Sequence, residues 1–434
     1  MTNNIPTQSE LPVSVGQRMM WLMDHYQGRY GSLNCPIIIG LKGKLDKVRL
    51  IQAWQLIIDQ VEVYRTRFIG KGQKLRRYVV DKEIAHIKEI TLDISNLQET
   101  DLNLIPELNS VLREELRQHF DLNQPLYRVI LWRLTDELNV LCINQHHLIT
   151  DAVSCGLVSQ MLGQAYEQQV LPKVPYQFSN FVEWEQTYLN SREYHNSIEF
   201  WQQSLKNVQF PKLPRRDRGI SIPLAQDTIT LYREHIDSRT EHQLKNLAKA
   251  NNTSLYNVLL SAFMMYLHRL TGQSDLAVAT LLANRTYHQD VIGFLSNMVI
   301  LRTRINQNSS IHDVISELRT MISGAIAHQS LPYQLLPAGT VSLDSIGDVV
   351  FQLFPTDIVQ LKSFTSLQAL AIDPPNGLAR RFDLDLALIP SQEGIRVIMA
   401  ASDLRFRPHW AARFLKGYIA LLLNITGQYR GLSQ

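Results

Sequence analysis

Two apolar runs stand close together in this chain: "YRVILWRL" (Tyr127 to Leu134) and "LNVLCINQ" (Leu138 to Gln145). Only Thr135, Asp136 and Glu137 separate them, which suits a hairpin turn between two strands. The second run passes without a break into "HHLITDAVS". There Thr150 or Asp151 can cap a helix, and Val153, Leu157, Met161, Leu162 and Ala165 fall on one helical face. A hairpin feeding directly into an amphipathic helix calls for a sheet layered against helices. It also sets His146, His147 and Asp151 at the strand-to-helix junction.

Three chemistries compete for that junction. Successive side chains on a strand point to opposite faces, so two adjacent histidines cannot converge if the strand persists. That weakens a metal site, which needs convergent ligands, and no further His/Cys/Asp cluster with ligand spacing occurs in the chain. A catalytic reading uses one imidazole for chemistry while the other, with Asp151, fixes the turn. The third reading is an ordinary capped turn with a satisfied core histidine. Local pattern alone leaves the last two open.

The rest of the chain repeats this grammar. "LDKVRLIQAWQLIIDQVEVY" spaces Val48, Ile51, Trp54, Ile58 and Val61 as a helix capped by Asp46. "NNTSLYNVLLSAFMMYLHRLTG" reads as a buried helix, capped by Asn252 or Thr253 and stopped at Gly272. "DLAVATLLA" and "NMVILRTRI" read as strands, and "IHDVISELRTMISGAIAHQ" and "HWAARFLKGYIALLLNIT" as helices. With 434 residues and 45% hydrophobic content, two α+β lobes are the simplest arrangement. A cut at 175 is expected, giving lobes 1–175 and 176–434. The Pro-flanked basic stretch from Pro211 to Gly219 reads as a solvated linker.

Net charge is +3, so nothing in the electrostatics points to nucleic acid or an anionic membrane. Cys35, Cys142 and Cys155 lack metal or redox spacing, as in a reduced cytosolic protein. The N-terminus has no signal pattern, and apolar helical stretches such as "YNVLLSAFMMYL" are too short to span a bilayer. A soluble, cytoplasmic monomer is expected.

The junction resembles the HHxxxDG motif of the nonribosomal peptide synthetase condensation domains, within the chloramphenicol acetyltransferase-like superfamily. Further segments follow in that family's order. "LPVSVGQRMMWLMD" is similar to S-x-A-Q-x-R-x-W through Ser14, Gln17 and Trp21, with Gly16 and Met19 departing from it. "VEVYRTRF" is similar to H-E-x-L-R-T-x-F through Glu62, Arg65, Thr66 and Phe68. "FDLNQPLYRVIL" resembles F-D-L…P-L-x-R, and "YQFSNFVEW" resembles Y-x-D-F-A-x-W with Asn180 for the Asp. "IGFLSNMVILR" keeps Gly293, Asn297 and Arg302, and "HQSLPYQ" keeps His328, Gln329 and Pro332. An Arg- and Asn-rich segment is faint in "DSIGDVVFQLF", and "FDLDLAL" resembles the strand after it. The likeness runs from Leu11 to Thr426, the extent of one condensation domain, either free-standing or cut from a larger synthetase.

The resemblance implies an α/β fold of two chloramphenicol acetyltransferase-like lobes, a V-shaped pseudo-dimer with a central tunnel. It implies an acyltransferase that forms an amide bond between a carrier-bound acyl or aminoacyl thioester and an amine, free or carrier-bound. No metal or resident cofactor is expected; the substrate travels on the 4'-phosphopantetheine of an acyl or peptidyl carrier protein. His147 corresponds to the catalytic histidine. His146, Asp151 and Arg65 correspond to supporting residues, with Arg65 as the partner of Asp151. Ala152, which replaces the motif's Gly, is expected to line the site with Ser154, Asn297 and Arg302. The alternatives are a same-fold acyltransferase that uses acyl-CoA or makes an ester, an epimerisation domain, and a non-catalytic carrier-binding module.

Overall fold

The computed structural model describes residues 9–26, 31–94, 101–214, 227–341, 348–354 and 363–427. Most of the linker read at 211–219 and the start of the faint Arg- and Asn-rich segment lie outside the described residues. In chain order the first elements are α1 (Val15–Tyr26), β1 (Asn34–Lys42), α2 (Lys47–Gln60), β2 (Thr66–Ile69), β3 (Arg76–Val79), β4 (Lys88–Thr91), α3 (Pro106–Leu116), β5 (Tyr127–Arg133), β6 (Leu138–His146), α4 (Ala152–Gln168) and α5 (Phe178–Tyr188). Then come α6 (Arg192–Ser204), β7 (Ile229–Asp237), α7 (Ser238–Ala250), α8 (Leu255–Thr271), β8 (Asp275–Leu282), β9 (Asn297–Arg304), α9 (Ile311–Ala327), β10 (Val349–Leu353), β11 (Gln368–Ala371), β12 (Leu384–Ser391), β13 (Gly394–Ser402) and α10 (Pro408–Ile425).

The chain forms two compact units. The first holds Met1–Asn190, Arg285–Ser296 and Ile358–Ala379; the second holds the remainder. The division therefore does not follow one cut at 175. Core packing explains why. Phe178, Phe181 and Val182 of α5 enter the first unit's core, as do Val291, Ile292, Leu295, Phe364 and Leu367 from two later excursions.

The first unit is built on a sheet of order β11-β1-β6-β5-β4. The expected hairpin is there: β5 and β6 pair antiparallel. β6 is buried at every residue after Leu138 because both faces are covered. Leu141 and Ile143 pack with Trp54 and Ile58 of α2 and Val158 of α4. Val140 and Cys142 pack with Leu108 and Leu112 of α3. A strand covered on both faces needs apolar residues at both parities, which is how the run reads.

Asp46 caps α2, accepting the Arg49 N–H at 3.0 Å, as expected. The buried face of α2 is Leu50, Ala53, Trp54, Ile57 and Ile58, and Val48 is exposed. The face of α4 is likewise turned from the one read in sequence: Ser154, Cys155, Val158 and Leu162 are buried, and Val153, Leu157 and Met161 are half-buried. Small polar residues on the inner face hid its true direction.

The second unit carries a sheet of order β7-β13-β12-β10-β8-β9. Leu384, Leu386 and Leu388 of β12 share a core with Leu260, Phe263 and Met264 of α8 and Phe414, Tyr418 and Leu422 of α10. The cap of α8 is Ser254, not Asn252 or Thr253; its hydroxyl accepts the Asn257 N–H at 3.2 Å. Gly272 ends α8 in the left-handed region, at φ 70°.

Candidate active site

β6 delivers His146 at its last position, and the chain then turns at once. His147 N–H reaches the Leu33 carbonyl at 2.8 Å, and Ile149 N–H reaches the His146 carbonyl at 3.0 Å. The turn ends where Asp151 caps α4, accepting the Ser154 N–H at 2.8 Å.

The two imidazoles part, as strand alternation requires. His146 is 1% exposed. Its Nδ1 accepts the Leu148 N–H at 3.0 Å, so the ring proton sits on Nε2, 3.4 Å from the Asp24 carboxylate. Phe120 packs edge-on against it. His119 donates to the same carboxylate at 2.9 Å. Burial alone would raise the Asp24 carboxyl, but hydrogen bonds from His146 and His119 hold it below the usual range.

His147 faces a different set of groups. Its Nδ1 lies 2.8 Å from the Thr150 carbonyl oxygen. A carbonyl only accepts, so Nδ1 carries the proton, and in the neutral ring Nε2 holds the lone pair. Phe294 packs edge-to-face on this imidazole, with ring centroids 5.2 Å apart.

Asp151 is fully buried. It is not paired with Arg65. Its partner is Arg285, whose Nη2 donates at 2.6 Å. The Leu295 and Ser296 N–H groups and the Ser296 hydroxyl complete its shell at 3.0, 3.1 and 3.1 Å. Burial would raise this carboxyl; the Arg285 charge and the Ser154 and Leu295 N–H groups hold it below the usual range. Arg65 instead donates to the carbonyls of Ile58 and Val80, each at 3.0 Å. It sits just past the C-terminus of α2, where free helix carbonyls attract a guanidinium.

Ser154 clips the same excursion. Its hydroxyl accepts the Gly293 N–H at 3.0 Å and donates to the Gly293 carbonyl at 2.8 Å. Gly293 is needed for space: a Cβ there would meet the Phe178 ring at 2.1 Å. Ala152 is the first residue of α4 and has no positive φ, so the backbone there does not require glycine. Its consequence is one half-buried methyl group.

Asn297 and Arg302 lie in the second unit and are bound within it. Asn297 donates to the Gln329 carbonyl at 2.8 Å and also to that of Leu331. Arg302 holds the Asp275 carboxylate at 2.7 Å and the Ser204 and Lys206 carbonyls at 3.0 and 2.9 Å. Their contacts hold loops and strand ends. His146, His147, Asp151, Ala152 and Ser154 are brought together in the first unit; Arg65 is not among them. Among the described residues, no three His, Cys, Asp or Glu side chains are grouped to hold a metal ion, and no helix is long and apolar enough to cross a membrane.

Arg285 was not legible as a site residue. It sits in a short loop with no periodicity to mark a buried cation. The start of α1 was partly legible. Gln17 donates to the Leu148 carbonyl at 3.0 Å, steadying the histidine turn. Beside it, the Val15 N–H donates to Glu185 at 2.9 Å. Burial pushes the Glu185 carboxyl up to about 7, from a usual 4.5. The folded chain thus holds this proton more tightly than the unfolded chain. Its stabilising contribution is full below about pH 4.5 and is lost as pH rises through about 7, roughly 3 kcal/mol in all. Glu185→Gln should therefore flatten the fall of melting temperature between those pH values and exceed wild type in stability at pH 8. A slope equal to wild type would show that Glu185 is not the group responsible.

The family model described as Condensation domain matches residues 7–430. Tyrocidine synthase 3 of Brevibacillus parabrevis is 27% identical over 96% of the chain, and the match spans 6% of that protein. Surfactin synthase subunit 1 of Bacillus subtilis is 25% identical over 96% of the chain, spanning 11% of that protein. The chain thus covers about a tenth of such relatives' length. Among solved structures, the first condensation domain of the CDA synthetase superposes with TM-score 0.80 at 17% identity, covering 95% of this chain and 96% of that one. That match bears out the mixed α/β, chloramphenicol acetyltransferase-like fold expected from the sequence.

Proposed function

The chain belongs to the condensation domain family, and from that premise we propose that it forms an amide bond in nonribosomal peptide synthesis. The donor is an acyl or aminoacyl group held as a thioester on the phosphopantetheine arm of a carrier protein. The acceptor is an amine, free or carried. The observation that carries this reading is the Nδ1–H of His147 held by the Thr150 carbonyl. It places the lone pair of the neutral ring on Nε2.

The neutral amine attacks the thioester carbonyl, and a C–N bond forms. The resulting ammonium gives its proton to Nε2 of His147. The C–S bond breaks, and the thiolate of the carrier arm leaves and takes a proton, so the atoms balance with no redox change. Asp151 and Arg285 are positioning groups: they hold the turn and the 293–296 segment around the imidazole. The reading goes with a monomer working in the cytoplasm alongside its carrier.

The test is transfer from a loaded carrier to an amine, followed by intact mass, beside the same acyl group offered as its CoA thioester. Amide product formed faster from the carrier is expected. Faster turnover of acyl-CoA, or an ester product, would favour the related acyltransferase reading. Carrier binding without turnover would favour a recruitment module.

A further inference from the structure

Gly16 departs from the family's Ala, and the structure gives that departure a physical meaning. A Cβ built on Gly16 would stand 2.8 Å from Phe294 Cε1 and 3.1 Å from Cδ1. Real Cβ atoms do not approach so closely, so the ring occupies the place of a side chain at 16. That same ring packs on His147. It cannot withdraw by a backbone shift. Gly293 before it is held at both N–H and carbonyl by Ser154, and Leu295 after it donates to Asp151. Phe294 and His147 are 8% and 9% exposed, so their contact lies largely shielded from solvent.

We propose that Phe294 is a positioning residue for His147, seated over Gly16 and carried there by the Asp151–Ser154 clasp. The Thr150 carbonyl fixes one edge of the imidazole. Phe294 restricts rotation about the Cβ–Cγ bond and covers the ring from water. Asp151 and Ser154 thereby act on the imidazole through a ring that lies between their two backbone anchors. The side chain missing at 16 is what lets an aromatic ring sit there. Gly16 is the second residue of α1, where glycine is a poorer helix former than alanine. The helix thus gives up stability at a position where the neighbouring ring needs the room.

This inference rests on the role proposed for His147, and the test separates the two. Gly16→Ala should lower kcat by about 10- to 100-fold with KM little changed, the cost of displacing a reacting group by about 1 Å, while the chain still unfolds cooperatively with a melting temperature within a few degrees of wild type. Gly16→Ala with Phe294→Leu should regain most of that loss, because a branched aliphatic side chain clears the new methyl. A residue serving only the fold would lose activity and stability together and would not be rescued. Independently of turnover, carbethoxylation of His147 by diethylpyrocarbonate, located by peptide mass, should be severalfold faster in Phe294→Ala than in wild type. Wild-type kcat in Gly16→Ala, a double variant no better than the single, or an unchanged carbethoxylation rate would each overturn the proposal. Wild-type turnover in His147→Ala would instead overturn the role of His147 itself.

Discussion

Arg285→Met should cost the protein about 3–5 kcal/mol, because it leaves the Asp151 carboxylate buried without its counter-charge. Urea unfolding followed by circular dichroism reads this directly. Arg65→Met should cost only about 1–2 kcal/mol, the worth of its charge-assisted bonds to backbone carbonyls at a half-buried position. The two variants also differ in acid. In wild type the lowered Asp151 contributes stability that is present above the usual carboxylate range and is lost as pH falls through its own, lower value. Arg285→Met removes much of that contribution, so its stability should fall less steeply on acidification. Arg65→Met should keep the wild-type acid limb. Equal costs and equal limbs would mean that Arg285 is not the partner that matters.

The second large effect falls on rate. His147→Ala should slow amide formation by about 10²- to 10⁴-fold, the usual contribution of a positioned general base. Stability should fall by only about 1–3 kcal/mol, the cost of leaving the buried Thr150 carbonyl without its Nδ1–H donor, so rate is lost far more than stability. His146→Ala should behave in the opposite way. It removes the acceptor of the Leu148 N–H and a donor to Asp24, both inside the core, and costs stability first. A variant pair with the two phenotypes exchanged would reverse the assignment of the two histidines.

What the sequence made legible follows from where information is local. The β5–β6 hairpin, the cap at Asp151 and the divergence of His146 and His147 depend on neighbours in the chain, and each is where periodicity and capping chemistry put it. The inner face of α4 was misjudged because Ser154 and Ser159 are buried there, and polar residues do not announce an inward face. The partner of Asp151 was misplaced for a related reason. Arg65 and Arg285 are both remote in sequence, and only the fold shows that the first is taken by the carbonyls ending α2 while the second enters the core. Phe294 was invisible as a neighbour of His147 because 147 residues separate them, and Gly16 signalled only that some space was wanted.

The central claim is that His147 accepts a proton at Nε2 while Nδ1 serves only to orient the ring. His147→Asn isolates the first role: its amide N–H can still donate to the Thr150 carbonyl, but it has no basic nitrogen. The measurement is single-turnover transfer from an acyl-loaded carrier to a small amine, timed by intact mass of the carrier. The account predicts that the Asn variant is slowed about as severely as the Ala variant, by about 10²- to 10⁴-fold. Transfer by His147→Asn at the wild-type rate would contradict it and leave orientation as the histidine's whole contribution.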